Sequence, residues 1–384
     1  MITNLLFSLK VIQKTNTEFQ MNNQHYCIVM AGGIGSRFWP LSKTIKPKQF
    51  LDILGTGRTL IQQTFDRLIK VFPTQNIYVV TNDDYRELVL QQLPELDPGQ
   101  VLLEPMRRNT APCVAYANHK IKLRDPDAKI LVAPSDHLIL KEKEFLDVLR
   151  KGLEFVDKND DMLTLGIRPD KPETGYGYIQ INGDKTKIEL NKSFRKVKTF
   201  TEKPDMKMAE IFINSGDFFW NSGMFFWSLK TINRAFDIYL PEINSLFKEG
   251  DAFYNTSREN EFIAKVYPNC RNISIDYGIM EKAENVYVLC SDFGWSDLGT
   301  WGSLYDMMKK NKANNTITGA NVFTYNTQNC IINLPDNKLA VIQGLDDYIV
   351  VESDNILLIC RKEDEQKIKN FVNDVKLEKG ESFV

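Results

Sequence analysis

Residues 30–50 read Met30-Ala-Gly-Gly-Ile-Gly-Ser-Arg-Phe-Trp-Pro-Leu-Ser-Lys-Thr-Ile-Lys-Pro-Lys-Gln-Phe50, directly after the apolar run Tyr26 to Val29. The run reads as a buried strand, and it ends in Gly32, Gly33 and Gly35. Glycine allows close approach and positive φ, so the strand end offers bare backbone amides to a ligand rich in acceptor oxygens, and phosphates fit that description. Arg37, Lys43, Lys46 and Lys48 follow in the same loop, and Pro47 closes it. Such a cationic run can hold polyphosphate charge that amides only partly offset.

Two familiar glycine motifs are excluded. Gly33-Ile-Gly35 begins like a dinucleotide fingerprint, but Phe38 stands where the third glycine is needed. A Walker loop ends in Gly-Lys-Ser/Thr, whereas Ser36 and Arg37 follow Gly35. The plainer alternative is a tight turn with solvated cations, and three glycines followed by four cations are more than a turn requires.

The segment resembles the signature of sugar-nucleotide pyrophosphorylases. Phe38-Trp-Pro-Leu-Ser42 followed by Pro47-Lys-Gln-Phe50 is similar to the bacterial mannose-1-phosphate guanylyltransferase branch. The resemblance extends from about His25 across nearly the whole chain. It implies transfer of GMP from GTP to α-D-mannose 1-phosphate, with GDP-mannose and pyrophosphate as products, Mg²⁺ as cofactor, a homodimer and a cytoplasmic location. Another NDP-hexose pyrophosphorylase, with a different base or sugar, and a catalytically silent nucleotide-sugar sensor stay open as alternatives.

The 384 residues are 43% hydrophobic and 26% charged, enough for one large or two moderate domains with a substantial core. A net charge of −2 gives no basic excess for nucleic acid or a membrane surface. No stretch approaches the roughly 20 apolar residues of a membrane span. Cys27, Cys113, Cys270, Cys290, Cys330 and Cys360 form no Cys-x-x-Cys pair and read as buried thiols.

Strands at Tyr26 to Met30, Ile77 to Thr81, Val101 to Glu104 and Ile130 to Ala133 alternate with helices over 59–71, 83–92, 111–123 and 143–156. That order predicts an α/β fold with a parallel, doubly wound, Rossmann-like sheet whose ligands gather at the carboxyl ends of the strands. Beyond about residue 160 the pattern is mixed, with strands Tyr176 to Ile181, Lys196 to Glu202 and Met224 to Trp227 beside helices over 205–214 and 229–248, which suits a built-in sugar-binding lobe. From Asn315, short strands between Asn, Asp and Gly turns precede a charged helix, Glu363 to Asp374. The expected organisation is an extension over 1–24 that is disordered or an upstream-start segment, a nucleotidyltransferase domain over 25–305, and a small C-terminal β region with a terminal helix over 315–384. The resemblance makes this last region left-handed β-helix-like, and with no further domain after it a single activity is expected.

The resemblance distributes the site residues over separate motifs. Ala31, Gly32, Gly33, Gly35 and Ser36, with Arg108, Asn109, Thr110 and Asp136, form the implied nucleotide site; Arg37, Lys48 and Lys203 are the implied catalytic cations. Asp136 in Ala133-Pro-Ser-Asp-His137 and Asp297 in Gly294-Trp-Ser-Asp-Leu-Gly299 are the implied metal ligands, since Mg²⁺ takes carboxylate, water and phosphate oxygens. Singly, each aspartate is equally explained as a cap or turn residue. Glu202 and Lys203, a pair that a solvated surface bridge also explains, are assigned to sugar hydroxyls and the sugar phosphate. Tyr176 and Gly177, Asn221, Ser222 and Gly223, and Asp276 complete the implied sugar site; Tyr176 is alternatively a half-buried strand residue, and Asp276 a helix cap.

Overall fold

The computed structural model describes residues 22–184 and 187–384. Residues 1–21 of the expected extension lie outside the described residues, and Asn22–Gln24 lead straight into the first strand.

The strands expected first are found almost residue for residue: β1 (His25–Met30), β2 (Ile77–Asn82), β3 (Val101–Glu104) and β4 (Lys129–Pro134). They pair in parallel in the order β3-β2-β1-β4. Helices Leu60–Leu68, Arg86–Gln92, Thr110–Lys122 and Glu142–Lys158 connect and cover them. Alternation along β1 sorts its side chains: Cys27 and Val29 join the core with Phe65, Leu149 and Phe226, while Tyr26 and Ile28 join the core with Tyr116, Trp227 and Phe236.

The second half of the sheet is mixed. It comprises β6 (Met162–Ile167), β7 (Gly177–Ile181), β8 (Phe194–Glu202), β9 (Phe218–Ser228) and β10 (Val286–Ser291), and extends the order to β3-β2-β1-β4-β9-β6-β10-β8-β7. β9 runs antiparallel to both β4 and β6, so the parallel character expected of the sheet stops at β4. Strands β6 and β10 are additions to the expected set; both are buried at the centre and parallel to each other. The single helix expected over 229–248 is two, Leu229–Tyr239 and Pro241–Lys248, because Pro241 cannot donate to the first helix but opens the second.

Two short strands decide the site. β5 (Leu138–Ile139) pairs antiparallel with β11 (Trp295–Ser296), matching Ser296 to Leu138. This ribbon brings the segment ending in Asp136-His137 against the segment beginning at Asp297.

The C-terminal region contains β12 (Thr316–Thr318), β13 (Asn321–Tyr325), β14 (Ile331–Asn333), β15 (Leu339–Gln343), β16 (Tyr348–Ser353) and β17 (Ile356–Arg361). Parallel pairing of β12, β14 and β16 in one sheet and of β13 with β15 in another stacks the coils of a small β-helix-like unit. The terminal helix runs from Ile368 to Lys379, preceded by a 3₁₀ segment over Lys362–Lys367. Its Ile368 shares a core with Phe38, Leu298, Trp301, Ile349 and Val351, so the glycine-loop segment and the terminal helix share one apolar seam. All six cysteines are buried and free. Among the described residues, no helix is long and apolar enough to cross a membrane.

Candidate active site

The glycine loop is held from behind. Gln49 Nε2 donates to the carbonyls of Ala31 (2.8 Å) and Gly33 (2.9 Å), Thr81 Oγ1 donates to Ala31 O (3.0 Å), and Ser42 Oγ donates to Ile34 O (2.6 Å). Buried carbonyls must be paired, and with these satisfied the loop amides are left for a ligand. Gly35 sits at φ 68°, and a Cβ there would lie 2.5 Å from Lys48 Cβ, so the loop folds onto Lys48 only because that position is glycine. Gln49 and Ser42 stand in the diagnostic motifs, but their role as braces is visible only in three dimensions.

One cavity is lined by Gly35, Ser36, Arg37, Lys48, Asp136, His137, Asp297, Gly299 and Lys369. Lys48 Nζ bonds Asp136 Oδ2 at 2.8 Å and donates to the carbonyls of Asp297 (2.6 Å) and Leu298 (3.0 Å). Its three protons are thus all used, and it is buried beneath the cavity rather than reaching across it. Arg37 is freer: one long bond runs from Nη1 to Gly299 O at 3.4 Å, and Nε is buried with no hydrogen-bond partner among the described residues. Lys43 is turned away, paired with Asp354 of the β16–β17 turn at 3.1 Å, and Lys46 is exposed. Of the four loop cations, only Arg37 and Lys48 face this cavity.

Burial drives the Asp136 carboxyl up, but Lys48 and His137 together hold it below its ordinary range. Burial pushes the His137 imidazole down, against the pull of Asp136 and Asp297. The Trp295 indole, a donor only, gives its proton to His137 Nδ1 at 3.0 Å, which assigns the remaining ring proton to Nε2 on the Asp136 side. Asp297 Oδ1 accepts from Tyr176 OH (2.9 Å) and the Gly299 amide (2.7 Å). Among the described residues, Oδ1 of Asp136 and Oδ2 of Asp297 accept no side-chain hydrogen bond. Two carboxylates lining one cavity, with His137 Nε2 3.9 Å from Asp136 Oδ1, suit a hard divalent ion that keeps several waters. Among the described residues no cluster of three or more His, Cys, Asp or Glu has metal-holding geometry.

A second cavity lies beside the first. Tyr176, Gly177, Glu202, Asn221, Ser222, Gly223 and Asp276 line it together, with Thr110, Trp295, His137 and Asp297. Every residue expected at a sugar site is therefore here except Lys203, which stands at the edge paired with Glu202 and has φ 47°. At Gly177 a Cβ would lie 2.5 Å from Glu202 Oε2, so a side chain there would push the carboxylate aside. Asn221 Nδ2 donates to Asp276 Oδ1 at 2.7 Å; burial nevertheless raises the Asp276 carboxyl to about 6. Ser222 faces inward: its hydroxyl donates to Leu165 O at 2.8 Å and braces β9 on β6. Tyr176 packs edge-on against Trp220 and Trp295.

The segment 108–110 differs from expectation. Arg108 Nη2 donates to Pro268 O (2.9 Å), away from the glycine loop, while Arg107 reaches Gly32 O (3.4 Å) and Tyr85 OH (2.9 Å). Asn109 Oδ1 accepts from the Thr110 amide at 3.0 Å, capping the following helix at φ 66°, and Thr110 falls in the second cavity rather than the first. Glu104, outside the expected set, lies buried under Gly32, where a Cβ would be 3.1 Å from its Oε2.

A loop of free amides, a buried cation under it and a carboxylate pair between two cavities are the parts a phosphate-transfer site requires. The pattern of the nucleotidyl transferase family matches residues 26–314, and that of the MannoseP isomerase/GMP-like beta-helix domain matches residues 320–375. The chain belongs to the nucleotidyl transferase family. This nucleotidyltransferase is 34% identical over 360 residues to mannose-1-phosphate guanylyltransferase of Escherichia coli, covering 91% of the chain and 75% of that relative. Alginate biosynthesis protein AlgA of Pseudomonas aeruginosa is 35% identical over 358 residues, with 91% and 71% covered. A crystal structure from Thermus thermophilus, described as mannose-1-phosphate geranyltransferase, superposes with a TM-score of 0.80 at 29% identity, covering 92% of this chain and 99% of the other.

Proposed function

We propose that this nucleotidyltransferase transfers GMP from GTP to α-D-mannose 1-phosphate, releasing pyrophosphate and GDP-mannose. The observation that carries the reading is the shared wall: His137 and Asp297 line both the cavity under the glycine loop and the cavity of sugar-type donors and acceptors. Two phosphorylated substrates held in these cavities meet at that wall. The choice of guanine and mannose rests on the kinship with relatives bearing the guanylyltransferase name.

A sugar 1-phosphate needs no general base, because a phosphate monoester with a second pKa of about 6 already carries most of its second charge near neutrality. The protein's work is alignment and charge compensation. In this reading the loop amides of Gly32 to Ser36 hold the triphosphate, and Arg37, with its unpartnered Nε, faces the pyrophosphate end. Lys48 keeps Asp136 ionised and in place, while Glu202, Asn221 and Asp276 orient the hexose and Lys203 at the rim meets its phosphate. A sugar-phosphate oxygen attacks the α-phosphorus, the bond to the bridging oxygen breaks, and pyrophosphate leaves with its electron pair. Mg²⁺ held by Asp136 and Asp297 would supply positive charge to the phosphate oxygens. A cytoplasmic site of action and a homodimer belong to the same reading.

The test is pyrophosphate release from GTP, UTP, dTTP, ATP and CTP, each paired with mannose, glucose or fucose 1-phosphate, with Mg²⁺ or EDTA. Metal-dependent release confined to GTP with mannose 1-phosphate is expected. Release from another pair overturns the specificity, and silence throughout with tight GDP-mannose binding makes the protein a sensor.

A further inference from the structure

The cavity under the glycine loop contains one residue that comes from outside the nucleotidyltransferase fold. Lys369, the second residue of the terminal helix Ile368–Lys379, lines it beside Arg37 and Gly35. Its placement is built in: the preceding Ile368 is fully buried in the seam with Phe38, Leu298 and Trp301, and Phe371, Val372 and Val375 pack on the same seam. Upstream, Glu365 Oε2 accepts the Gly302 amide at 2.7 Å, and Trp39 Nε1 donates to Phe383 O at 2.7 Å. The helix is thus pinned at both ends to segments that flank the cavity.

We propose that Lys369 binds the β- and γ-phosphoryl groups of the nucleoside triphosphate and the pyrophosphate they become, so that the C-terminal region completes the leaving-group site. This rests on the function proposed above. Lys48 has its protons committed to Asp136 and to two carbonyls, leaving Arg37 as the other cation available to the leaving group. Among the described residues no carboxylate lies within ion-pair distance of Lys369. Burial, then the charges of Arg37 and Lys203, press its ammonium below the usual range, which is the field an arriving anion relieves. Lys369 lines the triphosphate cavity and not the sugar cavity, so its contact is with the triphosphate, while the sugar phosphate near Lys203 feels its charge only at longer range.

The experiment measures pyrophosphate binding by calorimetry, in Mg²⁺, for the intact chain, Lys369→Ala, Lys369→Arg and the control Lys379→Ala, together with KM for GTP and for mannose 1-phosphate. Lys369→Ala should weaken pyrophosphate binding and raise KM for GTP by about tenfold or more, the scale of one charge-assisted hydrogen bond. KM for mannose 1-phosphate should stay unchanged, and arginine should restore most of the loss. Pyrophosphate affinity of Lys369→Ala within about twofold of the parent, or no pyrophosphate binding by the parent, overturns the proposal. Turnover with a different nucleotide and sugar overturns the proposed specificity instead and leaves the pyrophosphate comparison intact.

Discussion

Lys48 Nζ lies 2.8 Å from Asp136 Oδ2, with the lysine buried and the aspartate side chain 30% exposed to the cavity. The ammonium therefore lowers the net charge of a carboxylate pair that the proposed metal shares. Lys48→Met should cut kcat on the order of 10² to 10³-fold, as loss of other preorganised donors does. It should also raise the Mg²⁺ concentration for half-maximal rate, because without Lys48 burial favours the protonated Asp136 and nothing holds the carboxylate in place. A magnesium titration of the residual activity checks both; an unchanged or lowered magnesium requirement would remove Lys48 from this role.

Gly177 tests the sugar cavity with one carbon atom. A Cβ would meet Glu202 Oε2 at 2.5 Å, and that atom is the far end of a flexible side chain. Gly177→Ala should displace the carboxylate at little cost in stability and raise KM for the sugar phosphate several-fold, with KM for GTP unmoved. Steady-state kinetics with each substrate varied in turn decides it.

In the proposed sugar site Asp276 accepts a hydroxyl more strongly as the carboxylate than as the acid, and burial has raised its carboxyl to about 6. KM for the sugar phosphate should rise as pH falls below about 6. The substrate's own phosphate titrates near the same value, so the comparison is with Asp276→Asn: its KM should be higher at neutral pH, and its slope with pH shallower than the parent's. Parallel profiles would sink the assignment.

Glu104 gives a stability signature. Burial raises its carboxyl to about 7 from an ordinary 4.5, offset in part by the Tyr267 hydroxyl and by Arg107. A raised pKa means stability that is fully present below about 4.5 and lost as pH rises through about 7. Glu104→Gln keeps an acceptor for Tyr267 without the titration. Its melting temperature relative to the parent should therefore be higher at about pH 8 than at about pH 5, on the order of a few degrees.

The parallel half of the sheet was legible because Cys27 to Val29, Val79 and Val80, and Ile130 to Val132 are continuous apolar runs that only a doubly covered strand explains. β6 escaped because Thr164 and Gly166 interrupt its run, yet Thr164 Oγ1 satisfies itself on Met224 O and Gly166 admits Val288 and Phe219. That Tyr176, Glu202, Asn221 and Asp276 line one cavity was legible only through the resemblance of their motifs. What was not legible was direction. Nothing in Arg107-Arg108 says which guanidinium reaches the loop, and Lys43 and Lys48 look alike until one pairs with Asp354 and the other with Asp136. Lys369 is exposed like its helix neighbours Lys367 and Lys376, and nothing in the sequence says that its position borders the cavity, which only the anchoring of Ile368 in the seam reveals.

The bond from the Trp39 indole to the Phe383 carbonyl spans 344 positions of the chain. During synthesis the glycine loop is made long before Phe383, the acceptor of Trp39, and before Leu298, Trp301 and Ile368, which share the core of Phe38. The sheet beneath can fold as its strands appear, but the mouth of the nucleotide cavity must wait for the final helix. A nascent chain halted before that helix would have a formed sheet and an unsealed loop, with the Trp39 indole still without its Phe383 acceptor.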